Sequence, residues 1–243
     1  MSSAVTDRIL VRGFWGARQE DIDHLGDKWY DFFQLMSESI ERPGDCWTSP
    51  DFGTVDVTSV IAVSNWVRQS ISESIVADTP TLQFSLGLTG LDSKESVSIA
   101  ARVGYAGNAR KLLNAVVVTV DYTEPLVEMP RNLARLVEAL AGIWQPDWAE
   151  ASDRELRAML GDMRPASVRC PRVGYVTYLS GGRAGAIADL SNTVLSRSFE
   201  RGLILEFPPG ERSDVRRLVM ELDGELARSS ALEELPVGLS VWR

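Results

Sequence analysis

The side chains that most often carry enzymatic chemistry are few in this 243-residue chain. It contains one histidine, His24, and two cysteines, Cys46 and Cys170. A Ser-His-Asp or Cys-His site needs a histidine, but His24 lies among carboxylates on the polar side of a predicted helix, which favours an exposed surface residue. Two cysteines and one histidine do not form a metal-ligand cluster. We therefore predict no catalytic residue, no metal site and no cofactor.

Two further patterns were candidates for chemistry. Residues 180–185, Ser-Gly-Gly-Arg-Ala-Gly, lack the Gly-Lys-Ser/Thr ending of a nucleotide P-loop, so a flexible loop is favoured. An enzyme that uses only carboxylates and tyrosines, such as Asp121, Tyr122 and Tyr175, stays open as an alternative. A turnover assay, or a metabolite that remains bound after purification, would support that alternative.

The chain is acidic, and the imbalance lies at its two ends. Lys and Arg number 25 and Asp and Glu 34, for a net charge of −9. Residues 1–60 hold eleven acids and five bases, residues 206–243 hold eight and five, and the middle is neutral. Nucleic-acid binding depends on Lys and Arg that neutralise phosphates, so no nucleic-acid partner is expected. A basic protein partner fits this charge better.

The sequence also bears on the compartment. The N-terminal residues show no apolar signal segment, and the longest apolar runs, such as residues 115–118, are far below the ~20 residues of a membrane span. Two cysteines cannot build a disulfide framework and fit a reducing compartment. We expect a cytoplasmic protein with no membrane partner.

The strongest predicted helix covers residues 17–40 and has two contrasting faces. Apolar residues recur at three- and four-residue steps on one stripe. This stripe consists of Ile22, Leu25, Trp29, Phe32, Phe33, Met36 and Ile40. The opposite face is acidic and consists of Glu20, Asp23, Asp27, Asp31 and Glu38. The pattern predicts a helix that buries one side and presents carboxylates on the other.

The remaining pattern mixes strands and helices. Residues 8–15 read as a strand, and alternating apolar residues predict three successive strands within 81–122, joined by short links as an antiparallel meander. Further helices are predicted near residues 60–75 and 130–146, after a Ser152/Glu155 capping box, and after Ser213. The prediction is an α+β fold with a largely antiparallel sheet flanked by amphipathic helices. We expect one domain over residues 1–243, with a possible subdomain break near 161–171.

Three short segments share a fixed order and spacing. They are residues 13–18 (Gly-Phe-Trp-Gly-Ala-Arg), 144–148 (Trp-Gln-Pro-Asp-Trp) and 173–180 (Val-Gly-Tyr-Val-Thr-Tyr-Leu-Ser). Together they resemble the immunity protein 52 family, bacterial immunity proteins of polymorphic toxin systems, over about residues 9–228. The residues that carry the resemblance, expected in mainly structural roles, are Trp15, Gly16, Arg18, Trp144, Pro146, Asp147, Trp148, Gly174, Tyr175 and Tyr178.

The resemblance implies a non-enzymatic inhibitor that binds a cognate bacterial toxin and blocks its active site or its folding. The family is similar to partners of nuclease toxins with the restriction-endonuclease fold, and a nuclease cleft must be basic to hold phosphates. An acidic helix face could occupy such a cleft and steer the encounter. The predicted toxin contacts are Glu20, Asp23, Asp27 and Asp31.

Other interpretations of the same residues stay open. A polar outer face is ordinary for a surface helix, so the four acids could simply be solvated. The chain could be an acidic binding or scaffold protein for an unrelated basic partner, or a cofactor-free enzyme. The sequence does not choose between a DNA- and an RNA-directed toxin, or between occlusion and allosteric inhibition.

Overall fold

The N-terminal strand β1, Asp7–Trp15, lies in the middle of a large antiparallel sheet. Its residues alternate, so that Ile9 and Val11 are fully buried on one face while Arg8 is exposed on the other. The segment pairs on one side with a strand from the centre of the sequence and on the other side with a strand that follows residue 147. This central position brings distant parts of the chain together.

The computed structural model describes most of the chain, and the following statements concern those residues. They are residues 7–18, 20–39, 46–49, 53–73, 75–76, 79–80, 82–89, 95–104, 113–123, 126, 130, 132–163, 170–188, 190 and 192–234.

Twelve strands are present in the described part of the chain. After β1 they are β2 (Cys46–Ser49), β3 (Gly53–Asp56), β4 (Ile75–Val76), β5 (Thr79–Pro80), β6 (Leu82–Thr89), β7 (Glu95–Val103), β8 (Asn114–Tyr122), β9 (Trp148–Asp153), β10 (Val176–Ser180), β11 (Leu195–Phe199) and β12 (Gly202–Glu206). Ten form one sheet in the order β11-β12-β10-β9-β1-β8-β7-β6-β2-β3, while β4 and β5 pair separately. The predicted meander is confirmed as β6-β7-β8.

Six α-helices accompany the sheet in the described residues. They are α1 (Ile22–Ser39), α2 (Val60–Glu73), α3 (Leu133–Trp144), α4 (Arg154–Met163), the single turn α5 (Gly181–Ala184) and α6 (Arg212–Leu226). A 3₁₀ turn, Ser230–Leu232, follows α6. The predicted α+β class with an antiparallel sheet is therefore confirmed. No described helix is both long and apolar enough to cross a bilayer.

One face of the sheet carries α3, with α1 packed against it and α2 against α1. The predicted apolar stripe of α1 is buried as expected at Leu25, Trp29, Phe32, Phe33 and Met36. Helix α3 approaches β1 so closely that a Cβ at Gly13 would overlap the Leu140 side chain. This close approach fixes the end of α3 beside the end of β1.

Strands β9 and β10 are buried on both faces, because every residue of each is buried. Helix α3 covers one face, where Ala149 lies opposite Gly13. On the other face α4 packs on β9, and Arg183 of α5 stacks over the Trp148 ring. Since β9 and β10 pair directly, the sheet continues across the proposed break near 161–171.

Three predicted helix starts differ from the structure. Helix α1 begins at Ile22 rather than residue 17, so Glu20 precedes it. Ser152 lies inside β9, and the cap of α4 is instead Asp153, whose Oδ1 accepts a hydrogen bond from the Leu156 amide at 2.6 Å. Helix α6 begins at Arg212, one residue before the predicted cap Ser213.

Candidate functional site

The three segments that carry the family resemblance meet around one open cavity of about 540 Å³. We call it the motif pocket. Its lining residues are Trp15, Gly16, Arg18, Gln145, Pro146, Asp147, Tyr178, Ser180, Gly181, Gly182, Glu200 and Arg201. Six of the ten resemblance residues are among them, although they were expected mainly in structural roles. The structure thus brings together residues that are more than 160 positions apart.

Asp147 is the residue that joins the three segments. Its amide donates to the Phe14 carbonyl at 2.9 Å, and its carbonyl accepts from the Ser180 amide at 3.0 Å. Its carboxylate Oδ2 accepts from the Gly16 amide at 3.0 Å. The Asp147 side chain and backbone therefore link β1, the end of α3 and β10 at the base of the motif pocket.

The end of α3 adopts a left-handed conformation that shapes the rim of the pocket. Gln145 has a φ of 44° and its amide donates to the Ala141 carbonyl at 3.0 Å, which ends the helix just before Pro146. Glu200, in the turn between β11 and β12, has a φ of 50°. These are the two non-glycine residues with positive φ in the described chain, and both line the motif pocket.

Left-handed backbone at a non-glycine residue costs on the order of 1–3 kcal/mol and persists where the surrounding structure imposes it. Such residues cluster at functional sites more often than elsewhere. Two of them line the same cavity, which makes the motif pocket a candidate functional site.

The carboxylate of Asp147 is held in an unfavourable environment. Its side chain is 6% exposed, and burial raises its pKa above the ordinary value. The Gly16 hydrogen bond and the positive charges of Arg183 and Arg18 act in the opposite direction without overcoming burial. No described residue donates a hydrogen bond to the second carboxylate oxygen, Oδ1.

Arg18 is held in the pocket wall by several contacts. Its Nε donates to Glu20 at 2.7 Å, and its terminal nitrogens donate to the carbonyls of Trp144 at 2.6 Å and Gln145 at 3.3 Å. Its guanidinium lies 5.0 Å from the Trp15 ring centroid. Three of its five N–H donors are therefore used within the protein.

The predicted acidic face of α1 is smaller than expected. Glu20 precedes the helix, its side chain is only 8% exposed, and its two oxygens accept from Arg18 and from Lys28 at 2.6 Å. Asp27 and Asp31 are exposed, as predicted. The side chain of Asp23 lies outside the described residues. The free carboxylates of this face that the structure describes are therefore Asp27, Asp31 and Glu38.

Two hydroxyl groups of the motif pocket have no protein partner among the described residues. The Ser180 side chain is 7% exposed, its Oγ has no hydrogen bond, and it does not cap α5. The Tyr178 hydroxyl likewise has no described partner, and burial together with the nearby carboxylates of Glu200 and Asp147 raises its pKa. Unpartnered polar groups in a buried position favour a ligand or water.

Two of the other four resemblance residues, Trp144 and Trp148, support the pocket from the core. Trp144 packs on Trp29 at 4.6 Å between ring centroids and stacks on Trp15 at 6.0 Å. Trp148 is buried and stacks on Phe14 at 5.2 Å. These contacts hold the first two segments against each other.

Gly174 and Tyr175 lie beside the last residues of β9, away from the motif pocket. A Cβ at Gly174 would overlap the carbonyl oxygen of Ala151, so only glycine allows this approach. The Tyr175 hydroxyl donates to Asp153 and accepts from the Arg216 Nε at 2.9 Å. These contacts join Tyr175 to the network around Asp153.

The carboxylate and tyrosine residues of the alternative enzyme are not gathered into one site. Asp121 forms an ion pair with Arg8, whereas Tyr175 belongs to the Asp153 network. Tyr122 follows Asp121 in β8, so the two side chains point to opposite faces of the sheet. Within the described residues, no group of three or more His, Cys, Asp or Glu side chains is placed to hold a metal ion.

Six pocket residues were missed as site residues by sequence reasoning: Gln145, Ser180, Gly181, Gly182, Glu200 and Arg201. Three of them, Ser180, Gly181 and Gly182, belong to the segment 180–185 that was predicted to be a flexible loop. Gln145 and Ser180 lie inside the resemblance segments, and Gln145 directly precedes a proline at a helix end, which was a usable signal. Glu200 and Arg201 form a short turn between two strands. Nothing in their local sequence indicates that this turn reaches the pocket.

Comparison with known proteins gives a fold likeness. No protein-family model matches the chain, and no curated protein matches it in sequence. The structure is similar to that of the T6SS protein PA0821 of Pseudomonas aeruginosa, with a TM-score of 0.51 and 9% sequence identity. The match covers 82% of this chain and 68% of that chain. At this identity the likeness concerns the fold alone.

Proposed function

We propose that this protein is a non-enzymatic immunity protein that binds and neutralises a cognate bacterial toxin. The observation that carries the proposal is the motif pocket. Three segments that resemble the immunity protein 52 family are far apart in sequence, yet Asp147 ties them together around one open cavity. Residues that were needed only to pack separate parts of the core would have no reason to meet at an opening on the surface.

The groups that line the pocket suit the binding of a partner. The described lining residues offer carboxylates, hydroxyls, guanidinium groups and an indole. Two strained backbone positions hold the walls in place. A preorganised polar pocket of this kind suits the recognition of a protein partner.

The charge of the protein supports a basic partner, and a nuclease is the toxin class that fits it best. The net charge is −9, and Asp27 and Asp31 are exposed on α1. A nuclease cleft is basic because it holds phosphates, so opposite charges would speed the encounter. The fold likeness to a T6SS protein is compatible with a role in competition between bacteria.

The test is a rescue and capture experiment with the product of the adjacent gene. That product is expressed in a bacterial host alone, with this protein, and with an unrelated acidic protein of similar size. We expect toxicity, rescue by this protein only, and co-purification of a stable complex. Absence of toxicity, or toxicity without rescue or binding, would contradict the proposal.

An acidic binding or scaffold protein for an unrelated basic partner is the second candidate, favoured by the same exposed carboxylates and net charge. Capture of this protein's partner from the native host separates the two candidates. If the captured partner has no toxic activity and the neighbouring product is harmless, the scaffold function replaces the immunity function.

A further inference from the structure

The motif pocket contains a carboxylate oxygen without a protein donor among the described residues. Arg18 in its wall already donates to three protein groups. The Oδ1 atom of Asp147 and the Tyr178 hydroxyl have no described partner, and both can accept a hydrogen bond. The Nε1 group of Trp15, which is a donor, has no described partner either. A guest with N–H donors would satisfy the two acceptors together.

Asp147 is the carboxylate at the base of the pocket, and no described residue forms an ion pair with it. It is 6% exposed, so its carboxylate is largely removed from water. The positive charges of Arg183 and Arg18 act on it from a distance. Arg18 is paired with Glu20, and Arg183 donates to two backbone carbonyls. A cation in direct contact with the Asp147 carboxylate would stabilise it further.

The rim adds a second carboxylate and an aromatic wall. Glu200 is exposed in the turn between β11 and β12, and Trp15 also lines the pocket. Arg201 lies beside Glu200 and is equally exposed, so solvent screens both charges. The cavity of about 540 Å³ is large enough for one long side chain with the backbone on either side of it.

We propose that the motif pocket receives a basic side chain, an arginine or a lysine, from the protein partner, with Asp147 as the anion at its base and Glu200 at its rim. The chemistry of the guest follows from the residues of the pocket. Only the identification of the partner as a toxin rests on the proposed function. The Tyr178 hydroxyl accepts a further hydrogen bond from the same head group.

The probe is Nα-acetyl-arginine methylamide, titrated into the ¹⁵N-labelled full chain. The neutral isostere Nα-acetyl-citrulline methylamide is the matched control, because it keeps the shape and loses the charge. We expect saturable shifts of the Gly16 and Ser180 amide resonances with the arginine probe and not with citrulline. Equal shifts with both probes, or no shift at these amides, would overturn the proposal.

Asp147→Asn tests the anion directly. The asparagine oxygen can still accept from the Gly16 amide, so the pocket should keep its shape. We expect the arginine probe to bind about tenfold or more weakly, since one charge-assisted contact is lost. Asp162→Asn, at an exposed position of α4, is the matched control and should leave binding unchanged. Unchanged binding by Asp147→Asn would refute the assignment.

A second variant keeps the test decisive if Asp147→Asn does not fold. Glu200→Gln changes an exposed turn residue, and we expect it to weaken the arginine probe about two- to threefold through the loss of a screened charge pair. The lysine counterpart of the probe shows which basic head group is preferred. Agmatine tests a free small cation. If agmatine binds much more tightly than the capped amino acids, the guest is a metabolite and the protein-partner assignment fails.

The outcomes for the pocket and for the proposed function are separable. The probe experiment requires no toxin, and the rescue experiment requires no knowledge of the pocket. Rescue by the wild-type chain together with rescue by Asp147→Asn would keep the immunity function and remove the pocket from the interface. Probe binding without rescue would keep the basic guest and remove the toxin.

Discussion

Strand β9 has an aspartate at each end, and the two aspartates are held in opposite ways. Asp153, the last residue of β9, accepts from the Leu156 amide, the Tyr175 hydroxyl, Arg212 and Arg216. Asp147, just before the strand, accepts one described side-chain hydrogen bond, from Gly16. Burial acts to raise the pKa of both, but the partners of Asp153 bring its pKa below the ordinary value, whereas the pKa of Asp147 stays raised.

The difference separates a structural carboxylate from one that is available for binding. The Asp153 network joins β1, β9 and α6, because Arg212 also forms an ion pair with Asp7. Every strong acceptor there has a donor within the protein. At the other end of the strand the Asp147 carboxylate is buried with one described hydrogen-bond donor, the environment that the proposed binding of a basic side chain requires.

The same substitution at both ends should have opposite effects on stability. Asp153→Asn leaves Arg212 and Arg216, both mostly buried, without their shared anion, so we expect a loss of roughly 3–5 kcal/mol in the free energy of unfolding. Asp147→Asn removes a disfavoured charge and should be neutral or stabilising. Chemical denaturation of the two variants measures both. Equal losses would contradict the distinction between the two ends.

Substitution of the two tyrosines of the third resemblance segment should give a smaller difference in stability than substitution of the two aspartates. Tyr175→Phe removes a hydroxyl that bonds to Asp153 and Arg216, and we expect a loss of about 1–3 kcal/mol. Tyr178→Phe removes a hydroxyl with no described protein partner, so its effect on stability should be within about 0.5 kcal/mol. Thermal unfolding compares them. A larger loss for Tyr178→Phe would show that its hydroxyl has a structural role.

Sequence patterns predicted the parts of the fold that rest on regular apolar periodicity. The helix α1 and the strands β1 and β8 each bury one face more deeply than the other, so their periodicity is visible in the sequence. Strand β9 was missed. Its sequence, Trp-Ala-Glu-Ala-Ser-Asp, has weak strand propensity, and it is stable because Glu150 pairs with Arg12 and Asp153 with Arg212. Those arginines are distant in sequence.

The candidate site was predictable only in part. The resemblance marked Trp15, Arg18, Asp147 and Tyr178, but their convergence depends on the antiparallel pairing of β1, β9 and β10, which local patterns do not specify. The helical pattern predicted Glu20 as a toxin contact on the acidic face of α1. In the structure the Glu20 carboxylate is paired with Arg18 and Lys28. Spacing on a helical wheel cannot reveal such partners, because Glu20 lies before the helix begins.

The pH dependence of stability should also differ between the two ends. The stabilisation from Asp153 and Asp7 is present above their ordinary pKa of 3.8 and is lost as the pH falls through their lowered values. The penalty from Asp147 has the opposite sign, since it is absent below pH 3.8 and grows as the pH rises toward its raised pKa. The stability of the Asp147→Asn variant should therefore not decline as the pH rises over this range. The stability of the Asp153→Asn variant should fall less than that of the wild type as the pH is lowered. Unfolding measured across the acidic range tests both signs.

The smallest expected effect on stability is at the exposed face of α1. Asp27→Ser with Asp31→Ser removes two solvated carboxylates, so the free energy of unfolding should change by no more than about 0.5 kcal/mol. If this face steers a basic toxin, the association rate and its dependence on salt should fall while dissociation changes little.

Glu20→Gln is the matched contrast, because it leaves Arg18 and Lys28 without their shared anion and should loosen the pocket wall itself. Stopped-flow association with the captured toxin separates the two roles. If the double variant associates at an unchanged rate, the toxin is recognised by the motif pocket or by another surface. If Glu20→Gln is as stable as the double variant, the salt bridges at Glu20 contribute little to the fold.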